Sequence, residues 1–163
     1  MAISLRPIRP ADAPFLLSVY ASIRLEELAR VDWSAEQRQA FLQHQFMAQQ
    51  RHYQQYFPDA RYEVILREGR PVGRLWVDRT ETEIHILDLT LLPEHRGAGI
   101  GSEVLRALQA EGERERKSAW IYVENFSPSL ALLRRLGFTA AAEQGVHFRM
   151  EWRPGEQAPK SQV

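Results

Sequence analysis

The chain has 163 residues, 44% hydrophobic and 26% charged, with 21 lysines and arginines against 21 aspartates and glutamates. This length supports one core that needs no cross-links, and the balanced charge excludes an overall field for nucleic acid or an anionic membrane. The absence of cysteine excludes thiolate metal sites and a cysteine nucleophile. The start, MAISLRPIR, lacks the apolar stretch of a signal peptide, and no apolar run of about 18 residues follows; no membrane partner is expected, and the cytoplasm is the expected location.

Ile3 to Arg9 alternates as a strand, with Ile3, Leu5 and Pro7 on one side. Asp12 occupies an N-cap position before a helix through Phe15, Leu16, Val19, Ile23 and the Leu25/Leu28 region to about Ala29. Ser34-Ala35-Glu36-Gln37 has the form of a capping box for a second helix, whose stripe Phe41, Leu42, Phe46, Tyr53 and Phe57 stops before Pro58. Tyr62, Val64 and Leu66, a turn at Glu68–Pro71, then Val72, Leu75 and Val77 read as a hairpin. After a polar break at Asp78–Glu83, the run from Ile84 to Leu92 predicts a central strand buried on both faces.

Ile100, Val104, Leu105 and Leu108 form one helical face, and Trp120–Val123 a further buried strand. Pro128 opens a short helix through Leu130, Leu133 and Leu136 that Gly137 closes. Phe138–Ala142 and Val146–Trp152 read as a closing strand pair, and Arg153–Val163 as a loose polar tail.

Between the long strand and the third helix lies Pro93-Glu94-His95-Arg96-Gly97-Ala98-Gly99-Ile100-Gly101-Ser102. A helix start exposes unpaired N–H groups and carries about half a positive charge, while glycine lets an anion approach without Cβ interference. The dinucleotide spacing Gly-x-Gly-x-x-Gly fails, because Ser102 stands three residues after Gly99, and a Walker A loop fails for want of a lysine.

What remains is Arg-x-x-Gly-x-Gly, supplied by Arg96, Gly99 and Gly101. In that position it resembles the signature of the GNAT superfamily of acetyl-CoA-dependent N-acetyltransferases. Ser129–Phe138 is similar to the family's second cofactor segment, a short helix ending in Leu-Gly-Phe. The resemblance runs from about Ile3 to Trp152. It implies a single domain over 3–152, a polar tail over 153–163, and a mixed α/β fold, with a central, mostly antiparallel, twisted sheet of about six to seven strands flanked by about four helices.

The same resemblance implies acetyl-CoA as co-substrate and a primary amine as acceptor, with no metal; the balanced charge points to a small-molecule or amino acid-like acceptor and no nucleic acid, and a homodimer is compatible with both. The amides of Gly97, Ala98, Gly99, Ile100, Gly101 and Ser102, with Arg96, would hold the pyrophosphate. Leu91 would pair with pantetheine, the Leu89 N–H would face the acetyl carbonyl, and Asn125, Ser129 and Leu132 would contribute from the second segment.

Two departures stand out. Leu133 occupies the place of the tyrosine that can protonate the CoA thiolate, and Phe126 stands where an asparagine is usual, with Asn125 one residue early. Tyr122 is a candidate replacement acid. For the base, counting back from the turn gives His85, with Glu83 and Asp88 as neighbours; a histidine suits proton transfer but equally fits a satisfied structural residue, and Asp88 could pair with an arginine. A CoA-binding regulatory module of the same fold, with little catalysis, is the alternative.

Overall fold

A computed structural model describes residues 2–125 and 127–155. Strands and helices follow as β1 (Ile3–Pro7), α1 (Ala13–Ala29), α2 (Ala35–Tyr56), β2 (Arg61–Arg67), β3 (Arg70–Arg79), β4 (Glu83–Leu91), α3 (Ile100–Glu115), β5 (Ser118–Glu124), α4 (Ser129–Arg135), β6 (Thr139–Gln144) and β7 (His147–Trp152), with 3-10 turns at Pro10–Asp12 and Pro93–His95. The seven strands are ordered β1-β2-β3-β4-β5-β7-β6. β1 with β2, β5 with β7 and β6 with β7 run antiparallel, and β4 with β5 parallel. The fold is therefore the mixed α/β class with a mostly antiparallel sheet. No helix of the described residues is long and apolar enough to cross a membrane.

The chain divides into two compact units, Met1–Leu75 with Thr90–Arg96, and Trp76–Leu89 with Gly97–Val163. In the first, α2 begins with the capping box its sequence promises: the Gln37 N–H donates to Ser34 Oγ and the Ser34 N–H to Gln37 Oε1. Leu16, Tyr20 and Leu28 of α1 pack with Leu42 and Phe46 of α2 into one apolar cluster. Glu68 and Gly69 both take positive φ, +52° and +80°, which makes a two-residue hairpin turn. The turn is thus shorter than expected, and Arg70 and Pro71 already belong to β3.

Asp12 stands at the N-cap of α1, as expected, but its side chain makes no cap hydrogen bond: the carboxylate accepts from both Arg6 Nη atoms at 2.8 Å and from the Arg9 N–H at 2.7 Å, and closes the preceding 3-10 turn instead. β1 is the outermost strand of the sheet, and its Leu5 is 41% exposed.

In the second unit, α3 buries Ile100, Val104, Leu105 and Leu108. Arg79 donates to Glu111 through Nε at 2.6 Å and Nη2 at 2.9 Å, which shows that β3 runs past the expected break at Asp78. The strands alternate strictly. Ile84, Ile86, Ala119, Ile121, Met150 and Trp152 are buried on one side, and Glu83, His85, Trp120, Tyr122, Arg149 and Glu151 share the other. This corrects the expectation that β4 is buried on both faces, since only Ile84 and Ile86 are fully buried and Leu87–Leu91 are half-buried. β5 is likewise only partly a core strand, with Tyr122 43% exposed.

Candidate functional site

The glycine turn leads into α3 through two left-handed residues, Gly97 (φ +79°) and the N-cap Gly99 (φ +87°), conformations that a Cβ would penalise. The first helical bond is the Glu103 N–H donating to the Gly99 carbonyl at 3.0 Å. The amides of Ile100, Gly101 and Ser102 therefore precede the intrahelical ladder, and no side chain caps them. Gly97, Ala98 and Gly99 are exposed, and a Cβ built on Gly97 would meet nothing within 4 Å. Arg96 Nε donates to the Leu91 carbonyl at 3.0 Å, which anchors the arginine directly before the turn. Uncapped amides at a helix N-terminus are a donor set for a pyrophosphate, so the residues fit acetyl-CoA. Among the described residues no cluster of His, Cys, Asp or Glu could hold a metal.

The second segment meets the first. A Cβ on Gly101 would lie 3.5 Å from Leu132 Cδ2, and Gln109 Nε2 of α3 donates to the Leu136 carbonyl at 2.6 Å, tying α3 to the end of α4. Ser127 and Ser129 hydroxyls lie 2.7 Å apart at the start of α4, with Ser129 exposed. Asn125 is exposed, and its N–H donates to the Val146 carbonyl at 2.7 Å. Phe126 lies outside the described residues. Leu133 is only 2% exposed, sealed in the core.

β4 and β5 pair only at their starts, with the register Glu83↔Ser118, Ile84↔Ala119, His85↔Trp120, while β4 continues to Leu91 and β5 to Glu124. Just where the register ends, the His85 imidazole stacks on the Trp120 indole, centroids 3.6 Å apart and planes 11° from parallel. Trp120 Nε1 donates to Glu83 Oε1 at 3.1 Å, Arg149 Nη2 donates to Glu83 Oε2 at 3.1 Å, and the Arg149 guanidinium lies 3.7 Å over the indole. Tyr122 meets Trp120 edge-on at 5.0 Å. His85 is pushed down to about 4, first by burial and then by the nearby Arg149 charge.

The structure thus brings together His85, Glu83 and Tyr122 around Trp120. Leu89 and Asp88 are both half-buried further along β4. Trp120, Arg149 and Glu151 are the members that sequence reasoning missed. Trp120 reads as plain core, and the only signal for the others is the strict alternation of His147-Phe148-Arg149-Met150-Glu151-Trp152.

Comparison with known proteins identifies the fold and the family. Three solved structures are similar in fold: PaiA N-acetyltransferase from Thermoplasma acidophilum in complex with coenzyme A (19% identity, 94% of this chain and 99% of that one, TM-score 0.68), an acetyltransferase from Thermus thermophilus (20%, 94% and 97%, 0.69), and the ribosomal-protein-S18-alanine N-acetyltransferase from Escherichia coli (15%, 93% and 94%, 0.63). No curated protein matches the chain. The model of the acetyltransferase (GNAT) family matches residues 24–138, most of the sequence and both cofactor segments. The chain belongs to the GNAT acetyltransferase family, which uses acetyl-CoA as acyl donor.

Proposed function

We propose that the protein transfers the acetyl group of acetyl-CoA to a primary amine of a small-molecule or amino acid-like acceptor. The observation that carries this reading is the row of uncapped amides at the start of α3, opened by Gly97 and Gly99 and flanked by Leu132. Two of the similar structures are named N-acetyltransferases, and the chain's balanced charge favours a small acceptor over a polyanion or a basic tail.

Acetyl-CoA supplies an activated thioester carbonyl. The amides of Gly97, Ala98, Gly99, Ile100, Gly101 and Ser102, with Arg96, would hold its pyrophosphate; Asn125, Ser129 and Leu132 would flank it, and Leu91 and Leu89 would offer backbone groups along β4. The acceptor nitrogen must lose a proton as it gains the acetyl group. His85, held neutral above about pH 5 by its depressed pKa, is the residue we assign to receive it. So weak a base suits a nitrogen whose basicity has fallen on bonding to carbon rather than a free ammonium. Glu83, engaged by Trp120 and Arg149, holds the neighbours of His85 in place, and exposed Tyr122 is the candidate donor to the departing thiolate, a role buried Leu133 cannot fill.

The core position of Leu133 favours one second reading, a CoA-binding module without turnover. Release of free CoA thiol, measured against a panel of amines, amino acids and short peptides, separates the two. Amine-dependent release with a mass gain of one acetyl group on the acceptor is the expected result. Acetyl-CoA that binds but stays intact with every amine would favour the module.

A further inference from the structure

His85 and Arg149 approach the same indole at 3.6 and 3.7 Å. Two groups at those distances cannot share one face of the ring without overlapping, so they lie on opposite faces. The strand order places them the same way, with His85 arriving from β4, Trp120 standing on β5 and Arg149 arriving from β7. We infer that Arg149 is a positioning residue for His85, pressing the Trp120 indole against the imidazole and fixing a positive charge behind it.

Carboxylates hold the arginine in that pose. Nη2 donates to Glu83 Oε2, and Nε donates to Glu151 Oε2 at 3.2 Å. Glu83 also accepts from Trp120 Nε1, so a single carboxylate locks the indole and the guanidinium to each other. A planar cation is required, because a guanidinium can lie flat on an indole while two of its edges satisfy carboxylates, which an ammonium cannot do. The charge acts across the indole in a half-buried setting, where it disfavours a second cation on the imidazole.

Other titratable groups stand near this side of the sheet. They are Glu83 on its own strand, Tyr122 on β5 and Glu151 on β7, with Asp78 near the end of β3, just before the hairpin that the Thr80 N–H closes by donating to the Glu83 carbonyl. The carboxylates would favour a protonated imidazole, and Arg149 opposes them.

This inference rests on the assignment of His85 as proton acceptor, yet its test does not need turnover. His85 can be read in the ligand-free, isotope-labelled full chain, with its imidazole signals assigned by their loss in His85→Gln. At about pH 5 the wild type should be about one-tenth protonated, and Arg149→Met measurably more so, its midpoint rising once the charge is removed. Arg149→Lys should keep the low protonation while the His85 ring protons lose part of their ring-current shift. A folded Arg149→Met with unchanged protonation and unchanged ring-current shift would overturn the inference. Should Arg149→Met not fold, Glu83→Gln decides: release of the clamp should relax the ring-current shift of His85, and an unmoved signal would count against the clamp. In kinetics, the acid limb of kcat/KM should follow the NMR midpoint in Arg149→Met. A limb that stays while the midpoint moves would remove the base role from His85 and still support the hold of Arg149 on it.

Discussion

A Cβ on Gly101 would stand 3.5 Å from Cδ2 of Leu132, an ordinary contact distance, whereas a Cβ on Gly112, further along α3, would stand 2.6 Å from Trp152 Cζ3 and 2.7 Å from the Lys117 carbonyl oxygen. The same substitution in one helix should therefore have opposite signs. Gly101→Ala should gain up to about 1 kcal/mol of helix propensity and raise Tm slightly. Gly112→Ala gains the same propensity but overpacks against an indole and a backbone oxygen, which typically costs about 1–3 kcal/mol, so Tm should fall by several degrees. Paired thermal melts check this; a Gly112→Ala variant as stable as wild type would show that Trp152 is not seated where the structure has it.

The Arg6–Asp12 pair predicts an acid-sensitive component of stability. Arg6 is the larger cause holding the Asp12 carboxyl down, at about 2 against an ordinary 3.8, with the Arg9 N–H adding to it. Because the folded value lies below the unfolded one, the pair stabilises the fold above about pH 4, and that contribution drains away as pH falls toward about 2. Discounted for partial solvent access, it amounts to about 1–2 kcal/mol. Urea unfolding of Asp12→Asn should show lower stability than wild type at pH 6 and a shallower loss on acidification.

Replacement of His85 by Gln should lower kcat/KM near neutral pH, and because His85 takes the proton after the nitrogen has bonded to carbon, the loss should persist as rising pH deprotonates the free acceptor. Since His85 sits at about 4, the wild-type acid limb attributable to it should lie near that value rather than at the usual 6.5. An unaltered pH–rate profile in His85→Gln would leave Glu83, Asp88 or water as the proton acceptor.

Tyr122→Phe should lower kcat with little change in KM for acetyl-CoA. The effect should be about tenfold, below the 10²–10⁴ usual for general acids, because a thiolate leaves readily without help. Equal kcat in wild type and Tyr122→Phe would remove Tyr122 from the acid role.

Elements with a chemical signature were legible in the sequence: the Ser34–Gln37 capping box, the Gly97–Gly101 turn and the closing Gly137 each announce a backbone requirement through residue type. Asp12 marks the start of α1 by its position and not by its bond, because a carboxylate there can serve either the helix or a nearby arginine, and Arg6 wins by offering two donors at 2.8 Å. The apolar run of β4 overstates burial because periodicity reports which residues tolerate a core, and only Ile84 and Ile86 reach it. The arrangement around Trp120 is the least legible part. Its members, His85, Trp120 and Arg149, are far apart in sequence and meet only through the strand order β4-β5-β7, which no local pattern encodes.

The assignment of the Gly97–Ser102 amides is tested most directly by calorimetric titration of acetyl-CoA into wild type and Gly101→Ala side by side. The variant should fold as wild type does, because its added methyl stands at an ordinary 3.5 Å from Leu132, and a Tm at or above the wild-type value assigns any lost affinity to the ligand. If these amides hold the pyrophosphate, Kd should weaken by about tenfold or more, the equivalent of about 1.4 kcal/mol. Equal affinity in the two proteins would contradict it and move the cofactor away from the start of α3.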